Sequence, residues 1–181
     1  VRPALTSRTK AVMVVHFGGL AADVKALRAA LPPAVTLVED GAHAFSGRYA
    51  DGKPVGSSGN PVCFSFYANK TMTTGEGGML VTRNPELAKR ARVMRLHGMS
   101  RDAFDRFTAT VPSWYYEIVA PGFKYNLTDI AAAMGLHQLR RAQPFQEKRA
   151  QLAALYDALL ADLPLILPPR PAADEVHSWH L

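Results

Sequence analysis

A lysine and an aspartate stand at the ends of two apolar runs that read as neighbouring strands. Lys70 closes the run that begins at Cys63 and precedes the glycine-rich turn Gly75–Gly78, while Asp40 ends an earlier apolar run. A lysine at the edge of a buried sheet is unfavourable unless it is paired or covalently engaged. A lysine Schiff base and an aspartate beside a pyridinium nitrogen are the protein's contribution to pyridoxal-phosphate chemistry. The pair therefore suggests a site for that cofactor.

Three further polar residues could serve the same site. His43 shares a loop with Asp40 and could stack on a ring or bond its hydroxyl, Ser65 could donate to a phosphate, and Asn126 precedes a predicted helix, where phosphates bind. Each also has an ordinary structural interpretation. His43 could be a histidine whose hydrogen bonds are satisfied within the fold, Ser65 a core serine, and Asn126 a helix cap. Taken alone, Lys70 and Asp40 are most simply a solvated loop lysine and a turn cap. The order of the five residues along the chain favours the shared site.

The elements that would position these residues alternate between strands and helices. Strand, helix, strand with short connections predicts a parallel βαβ unit, and Asp40 then lies at the carboxyl edge where open α/β sheets bind ligands. The predicted strands are Ala11–Val15, Val35–Val38, Val62–Tyr67 and Met79–Thr82. The predicted helices are Asp23–Leu31, one from Asn84 to His97, one that begins near Thr128, and Pro144–Leu163.

The last two predicted helices should each bury one apolar face. Their core positions are Ile130, Ala133, Met134 and His137 on the first, and Phe145, Leu152, Leu155, Tyr156, Leu159 and Leu163 on the second. Between the second and third predicted helices, Met99–Gly122 has no clear period and is expected to be a functional or mobile loop.

Composition is that of an ordinary globular chain with a mild positive charge. The 181 residues, 48% of them hydrophobic, suffice for one sizeable core. The net charge of +6 is compatible with nucleic acid or with a phosphorylated substrate, but the basic residues are dispersed, which favours solvated helix faces. No apolar run approaches the length of a bilayer span, and no metal site is expected. The single cysteine, Cys63, is predicted to be a buried small hydrophobe in a reducing, cytoplasmic protein.

Both ends of the sequence look cut. The chain begins with Val1 and ends with Leu181 inside what reads as an unfinished strand, so we expect a fragment of a longer protein. Residues 1–163 are predicted to be part of a large cofactor-binding domain. Residues 164–181 are predicted to form a Pro-rich linker and the start of a small carboxy-terminal domain.

Seven segments in order resemble the DegT/StrS-type sugar aminotransferase family, which has the type I, aspartate aminotransferase-like fold. The resemblance spans nearly the whole chain. The segments are Val15–Gly19, Glu39–Ala44, Phe64–Lys70, Thr74–Gly78, Leu96–Gly98, Gly122–Asp129 and His177–His180. This resemblance implies an α/β fold with a mostly parallel sheet flanked by helices.

The resemblance also implies roles for the five residues. Lys70 would form the Schiff base with pyridoxal 5'-phosphate and shuttle a proton, Asp40 would pair with the ring nitrogen, and His43 would lie against the ring or its hydroxyl. Ser65 would hold the phosphate within its own subunit, whereas Asn126 would reach the cofactor phosphate of the neighbouring subunit in a homodimer. The implied reaction moves an amino group from glutamate to a keto group of a nucleotide-linked sugar, for polysaccharide, glycan or antibiotic synthesis.

Two alternatives remain open at this point. One branch of the family carries histidine in place of the lysine and dehydrates its substrate, and Lys70 argues against that branch, although a related lyase acting on the same sugars is still a rival. A catalytically silent binding or regulatory module is the other rival, because the amino-terminal part of the family, with its cofactor-stacking aromatic residue and backbone phosphate donors, is absent here.

Overall fold

The computed structural model describes residues 2–100 and 115–181. They fall into two compact units, the first built from residues 2–81 and 129–181 and the second from residues 82–100 and 115–128. The greater part of the predicted loop Met99–Gly122 lies outside the described residues. Of its described residues, Met99 and Ile118 form an antiparallel bridge within the second unit.

The first unit contains a four-stranded sheet in the order β1 (Ala11–Val15), β2 (Thr36–Asp40), β3 (Val62–Ser65) and β4 (Gly78–Val81). The first three strands run parallel and β4 runs antiparallel to β3. This arrangement confirms the predicted α/β class with a mostly parallel sheet. Strand β2 extends two residues beyond the predicted end, so that Asp40 is its last residue, and β3 ends two residues earlier than predicted.

Helix α1 (Val24–Ala30) connects β1 to β2 and confirms the predicted βαβ unit. The side chain of Asp23 caps its first turn by accepting a 2.9 Å hydrogen bond from the N–H of Ala26, as a short acidic side chain does before a helix. Leu31 is already extended, because the following Pro32 disfavours a helical conformation in the residue before it.

The core of the first unit lies on one face of the sheet. Buried side chains from α1, from β2 and β3 and from the loop after β2 form it, among them Val24, Leu31, Leu37, Ala44, Tyr49, Val55 and Val62. On the opposite face, Met13 is 67% exposed and Cys63 is also exposed. The prediction of a buried Cys63 was wrong, because strand side chains alternate between faces and Cys63 lies on the one that these residues leave open.

Among the described residues, three further helices follow the sheet, α2 (Pro85–Met94) in the second unit and α3 (Asp129–Arg140) and α4 (Ala142–Leu160) in the first. The side chain of Asn84 caps α2 as predicted, although the helix ends three residues before His97. No helix in the described part of the chain is both long and apolar enough to cross a membrane.

The predicted core faces of α3 and α4 are largely exposed. Ile130 is 84% and Leu159 is 70% exposed, and Ala133, Met134 and His137 also lie at the surface. On α4, Phe145 is half-buried, whereas Leu152, Leu155, Tyr156 and, beyond the helix end, Leu163 are exposed. Within residues 2–100 and 115–181, therefore, these apolar stripes are not covered, and their assignment to a core of this chain was wrong.

The carboxy-terminal segment returns to the first unit. Val176 pairs with Arg48, and the N–H of Ser178 donates to the carbonyl of Gly19 at 2.9 Å. His177 and Ser178 are buried there. The assignment of residues 164–181 to a linker and a second domain stays a prediction.

Candidate active site

The ends of β1 and β2 meet at the carboxyl edge of the parallel sheet, beside β3. The register places Val15, Asp40 and Cys63 side by side, so Asp40 stands at the edge where open α/β sheets bind their ligands. One oxygen of its carboxylate accepts a 2.9 Å hydrogen bond from the N–H of Ala42. Asp40 therefore caps its own turn, as the ordinary interpretation expects, and at the same time brings a half-buried negative charge to this edge.

The imidazole of His43 is held in a defined tautomer beside Asp40. Its Nδ1 accepts a 3.3 Å hydrogen bond from the N–H of Gly18, so the proton of the neutral ring lies on Nε2, which can donate to a ligand. Burial and then the charge of Lys70 lower the pKa of His43, and Asp40 opposes them. The ring is consequently neutral at neutral pH, and it lies within electrostatic reach of both Lys70 and Asp40.

Lys70 is carried by a loop whose ends are tied together at Phe66. The N–H of Phe66 donates to Gly77 at 2.8 Å, and its carbonyl accepts from Thr74 at 2.9 Å. Inside this loop, residues 67–77, the side chain of Met72 is buried and Lys70 is half-buried. The positive φ angles of Gly75 and Gly77, 77° and 156°, let the chain reverse into β4. The hydrogen bonds at Phe66 thus fix the backbone at both ends of the loop that carries Lys70.

Ser65 and Asn126 fall in different units of the structure. Ser65 ends β3, and its Oγ accepts a 3.3 Å hydrogen bond from the N–H of Tyr67, which leaves the hydroxyl proton free to be donated. Asn126 belongs to the second unit, where its side-chain oxygen accepts a hydrogen bond from the ammonium group of Lys124. The association of Asn126 with the other four residues stays a prediction.

The sequence did not reveal that a charged residue, Glu39, is buried beneath this sheet edge. Glu39 points away from Asp40 and is fully buried. Its carboxylate accepts four hydrogen bonds, from His16 Nε2 at 2.8 Å, Tyr49 Oη at 2.6 Å, Ser58 Oγ at 2.5 Å and Asn60 Nδ2 at 2.7 Å. Strand alternation could have indicated that Glu39 and Asp40 face opposite sides of the sheet.

The four donors decide the charge of Glu39. Burial alone would raise the pKa of its carboxyl group, but the hydrogen bonds from His16, Ser58, Tyr49 and Asn60 outweigh burial and lower the pKa to about 2. Burial and the hydrogen bond to Glu39 raise the pKa of Tyr49 to about 12, so the phenol stays protonated and donates. The network fixes the end of β2 directly behind Asp40.

The sequence reasoning also gave no role to His180. Its ring lies against that of His43, with centroids 4.3 Å apart and an interplanar angle of 36°. Burial and the nearby charges of His43, Lys70 and Arg149 lower its pKa to about 4. His180 therefore belongs to the neighbourhood of Lys70.

A separate cavity of about 930 Å³ opens between α1 and the loop of residues 49–60. Lys25, Arg28, Asp51 and Ser58 are among the residues that line it, whereas Lys70, Asp40 and His43 do not. In the described part of the chain, no cluster of three metal-ligating side chains occurs. The cavity is thus distinct from the sheet edge that carries Lys70, Asp40 and His43.

Comparison with known proteins identifies the family of this chain. The model of the DegT/DnrJ/EryC1/StrS aminotransferase family matches residues 1–181. The chain belongs to that family. The resemblance inferred from the seven segments is thereby confirmed, and so is the fold expected of a DegT/StrS-family chain.

Individual proteins are also similar to this DegT/StrS-family chain in sequence or in structure. The spore coat polysaccharide biosynthesis protein SpsC of Bacillus subtilis is 45% identical over 98% of the chain, which covers 46% of SpsC. The sugar aminotransferase CalS13 from Micromonospora echinospora superposes with a TM-score of 0.83 at 31% identity, over 98% of the chain and 48% of CalS13. The PLP form of Spr1654 from Streptococcus pneumoniae superposes with a TM-score of 0.80 at 30% identity, over 98% of the chain and 48% of Spr1654. The chain spans about half the length of these proteins.

Proposed function

We propose that the protein bearing this chain is a pyridoxal-phosphate-dependent aminotransferase that moves an amino group from glutamate to a keto group of a nucleotide-linked sugar. The observation that carries the proposal is the grouping of Lys70, Asp40 and His43 at one sheet edge, where the charges of the first two act on the third. Family membership supports the same reaction class.

The donor set of this edge suits the cofactor. Pyridoxal phosphate supplies an electron-accepting ring joined to the carbon that carries the amino group. The carboxylate of Asp40 would hold the ring nitrogen protonated, since an opposite charge nearby stabilises the charged form. The Nε2–H of His43 would donate to the ring oxygen, and the hydroxyl of Ser65 would donate to the phosphate.

Lys70 would have two tasks. Its amine would bind the aldehyde of the cofactor, and once the substrate has displaced it, the free amine would move the proton at the substrate carbon. Both tasks need a flexible side chain on a fixed backbone, and the loop tied at Phe66 provides that combination.

The remaining parts of the proposal concern substrate, assembly and location. SpsC is named for coat polysaccharide synthesis and CalS13 as a sugar aminotransferase, which supports a sugar acceptor. The proposal also includes a homodimer with shared sites and a boundary near residue 163 between a large and a small domain. It places the protein in the cytoplasm, without nucleic-acid or membrane partners.

Spectroscopy and activity assays on the full-length protein test the function. Pyridoxal phosphate should give a visible absorption band that excess glutamate converts, and a panel of keto-sugar nucleotides should yield an aminated product. If no band forms with cofactor in excess, the proposal is wrong and a silent module is favoured. If the band forms but the sugar loses water instead of gaining an amine, a lyase is indicated.

The role of Asn126 across the dimer gives a separate expectation. Inactive Lys70→Ala and Asn126→Ala subunits, when mixed, should regain activity, because one site of each hybrid dimer then contains both intact residues. Random exchange makes about half of the dimers hybrid, so recovery should approach roughly a quarter of the parent activity. Activity after mixing and mass analysis of the hybrids are the measurements.

Each variant mixed with itself is the matched control and should stay inactive. If verified hybrids recover no activity, Asn126 does not act in the partner's site.

A further inference from the structure

His180 is brought to the sheet edge by the return of the carboxy-terminal segment. Its N–H donates to the carbonyl of Gly18 at 2.9 Å, and the N–H of Gly18 in turn donates to Nδ1 of His43 at 3.3 Å. The Gly18 peptide groups thus connect the two histidines, whose rings lie 4.3 Å apart. His43 is held from two sides, by a backbone donor and by the ring of His180.

The backbone around this contact is closely fitted. Gly19 has a φ of 104°, and a Cβ at this position would lie 2.9 Å from both the His43 carbonyl and the Cβ of Ser178. Trp179, directly before His180, has a φ of 48°, which is unusual for a residue with a side chain. Arg149 donates to the Trp179 carbonyl at 3.0 Å and fixes that conformation.

The charge state of His180 suits packing rather than ion pairing. Burial is the largest cause that lowers the pKa of His180 to about 4, so the ring is neutral at neutral pH. Its Nδ1 is buried and has no hydrogen-bond partner among residues 2–100 and 115–181. The ring therefore contributes its face to His43 and adds no charge beside Lys70.

We propose that His180 is a positioning residue of the cofactor site, whose ring packs on His43 and holds the His43 imidazole in the orientation that Gly18 sets. The inference rests on the proposed function, because His43 matters for the reaction only if the cofactor ring lies against it. By this inference, residues 176–181 help to form the site around Lys70.

Cofactor affinity in the full-length protein is the first test. His180→Ala should raise the dissociation constant of pyridoxal phosphate by about 3- to 10-fold, the range expected for loss of one ring pair. His180→Phe retains a ring and should stay within about 2-fold. His137→Ala, which removes an exposed histidine from α3, is the matched control and should leave the constant unchanged.

Coupling between the two histidines separates positioning from general stability. The double variant His43→Ala with His180→Ala should bind cofactor no more weakly than His43→Ala alone, since His180 is expected to act only through His43. If the two losses add, or if His180→Phe binds as weakly as His180→Ala, the inference is overturned.

The cofactor-free protein gives a readout that does not depend on the proposed function. His43 faces Lys70, Asp40, Phe17 and His180. Removing the His180 ring exposes His43, so an NMR titration should show the pKa of His43 rising toward its ordinary value in His180→Ala. An unchanged pKa of His43 would show that the His180 ring does not shield it, and would overturn the inference. A parent protein that binds no cofactor would overturn the proposed function and leave this result standing.

Discussion

Replacing Lys70 by alanine in the full-length protein is expected to abolish the visible absorption of the bound cofactor and the aminotransferase activity. Alanine has no amine to condense with the cofactor aldehyde, so the covalent attachment is lost outright. Loss of the proton-moving group alone should reduce turnover by about 10²- to 10⁴-fold. Absorption after removal of free cofactor, and initial rates with glutamate and a keto-sugar nucleotide, measure the two effects.

Two companion variants identify the cause of the loss. Lys70→Arg keeps a positive charge beside His43 but cannot form a Schiff base, so it should be as inactive as Lys70→Ala. Lys25→Ala removes an exposed lysine of α1, whose ammonium group lies 2.9 Å from Asp51, and should behave like the parent protein. Borohydride reduction followed by peptide mass analysis should find the cofactor on Lys70. A cofactor adduct on another lysine would refute this assignment.

Local signals in the sequence were sufficient to predict the elements at the sheet edge. Asp23 before α1 and Pro32 after it mark that helix to within one residue at each end, because capping and proline sterics act over a few residues. Asn84 followed by Pro85 likewise marks the start of α2. Since β1 and β2 flank α1, the parallel pairing and the place of Asp40 at the edge followed from these signals.

Periodicity did not predict what covers an apolar face. Ile130 and Met134 have the spacing of a core stripe, and both are exposed. The pattern reports only that one side of a helix is apolar, and the partner that buries it can lie elsewhere in an assembly. Because this chain spans about half the length of its relatives, exposure of these faces does not contradict the family fold.

Contacts between residues distant in sequence were the other part that could not be predicted. Glu39 is bound by His16, Tyr49 and Asn60, and His180 packs on His43. No short-range pattern links these residues, because the sheet and the returning carboxy-terminal segment bring them together. Sequence reasoning therefore found the residues expected to touch the cofactor and missed those that hold them in place.

The buried carboxylate of Glu39 leads to the second large expected effect, a loss of stability in acid. A carboxyl group whose pKa is lower in the folded than in the unfolded chain stabilises the fold above its unfolded pKa, and this contribution disappears as pH falls toward the folded pKa. For Glu39 the two values are 4.5 and about 2. The stabilisation should therefore be complete above pH 4.5 and decline progressively below it.

The size of the effect follows from the same two values. One pKa unit corresponds to about 1.36 kcal/mol, so the contribution of Glu39 near neutral pH is roughly 3 kcal/mol. Glu39→Gln should remove it and leave some of the four donors facing an amide N–H₂ group instead of a carboxylate oxygen. We expect the free energy of unfolding at pH 7 to fall by about 2–4 kcal/mol.

Urea unfolding of the full-length protein at several pH values between 7 and 3 measures this contribution. The parent should lose stability through the acid range more steeply than Glu39→Gln, because the variant has no carboxylate to protonate at this position. Asp174→Asn, which changes an exposed acid, should keep the steep dependence of the parent. A Glu39→Gln protein that retains both the parent stability at pH 7 and the parent slope in acid would show that the four hydrogen bonds do not stabilise the edge that carries Asp40.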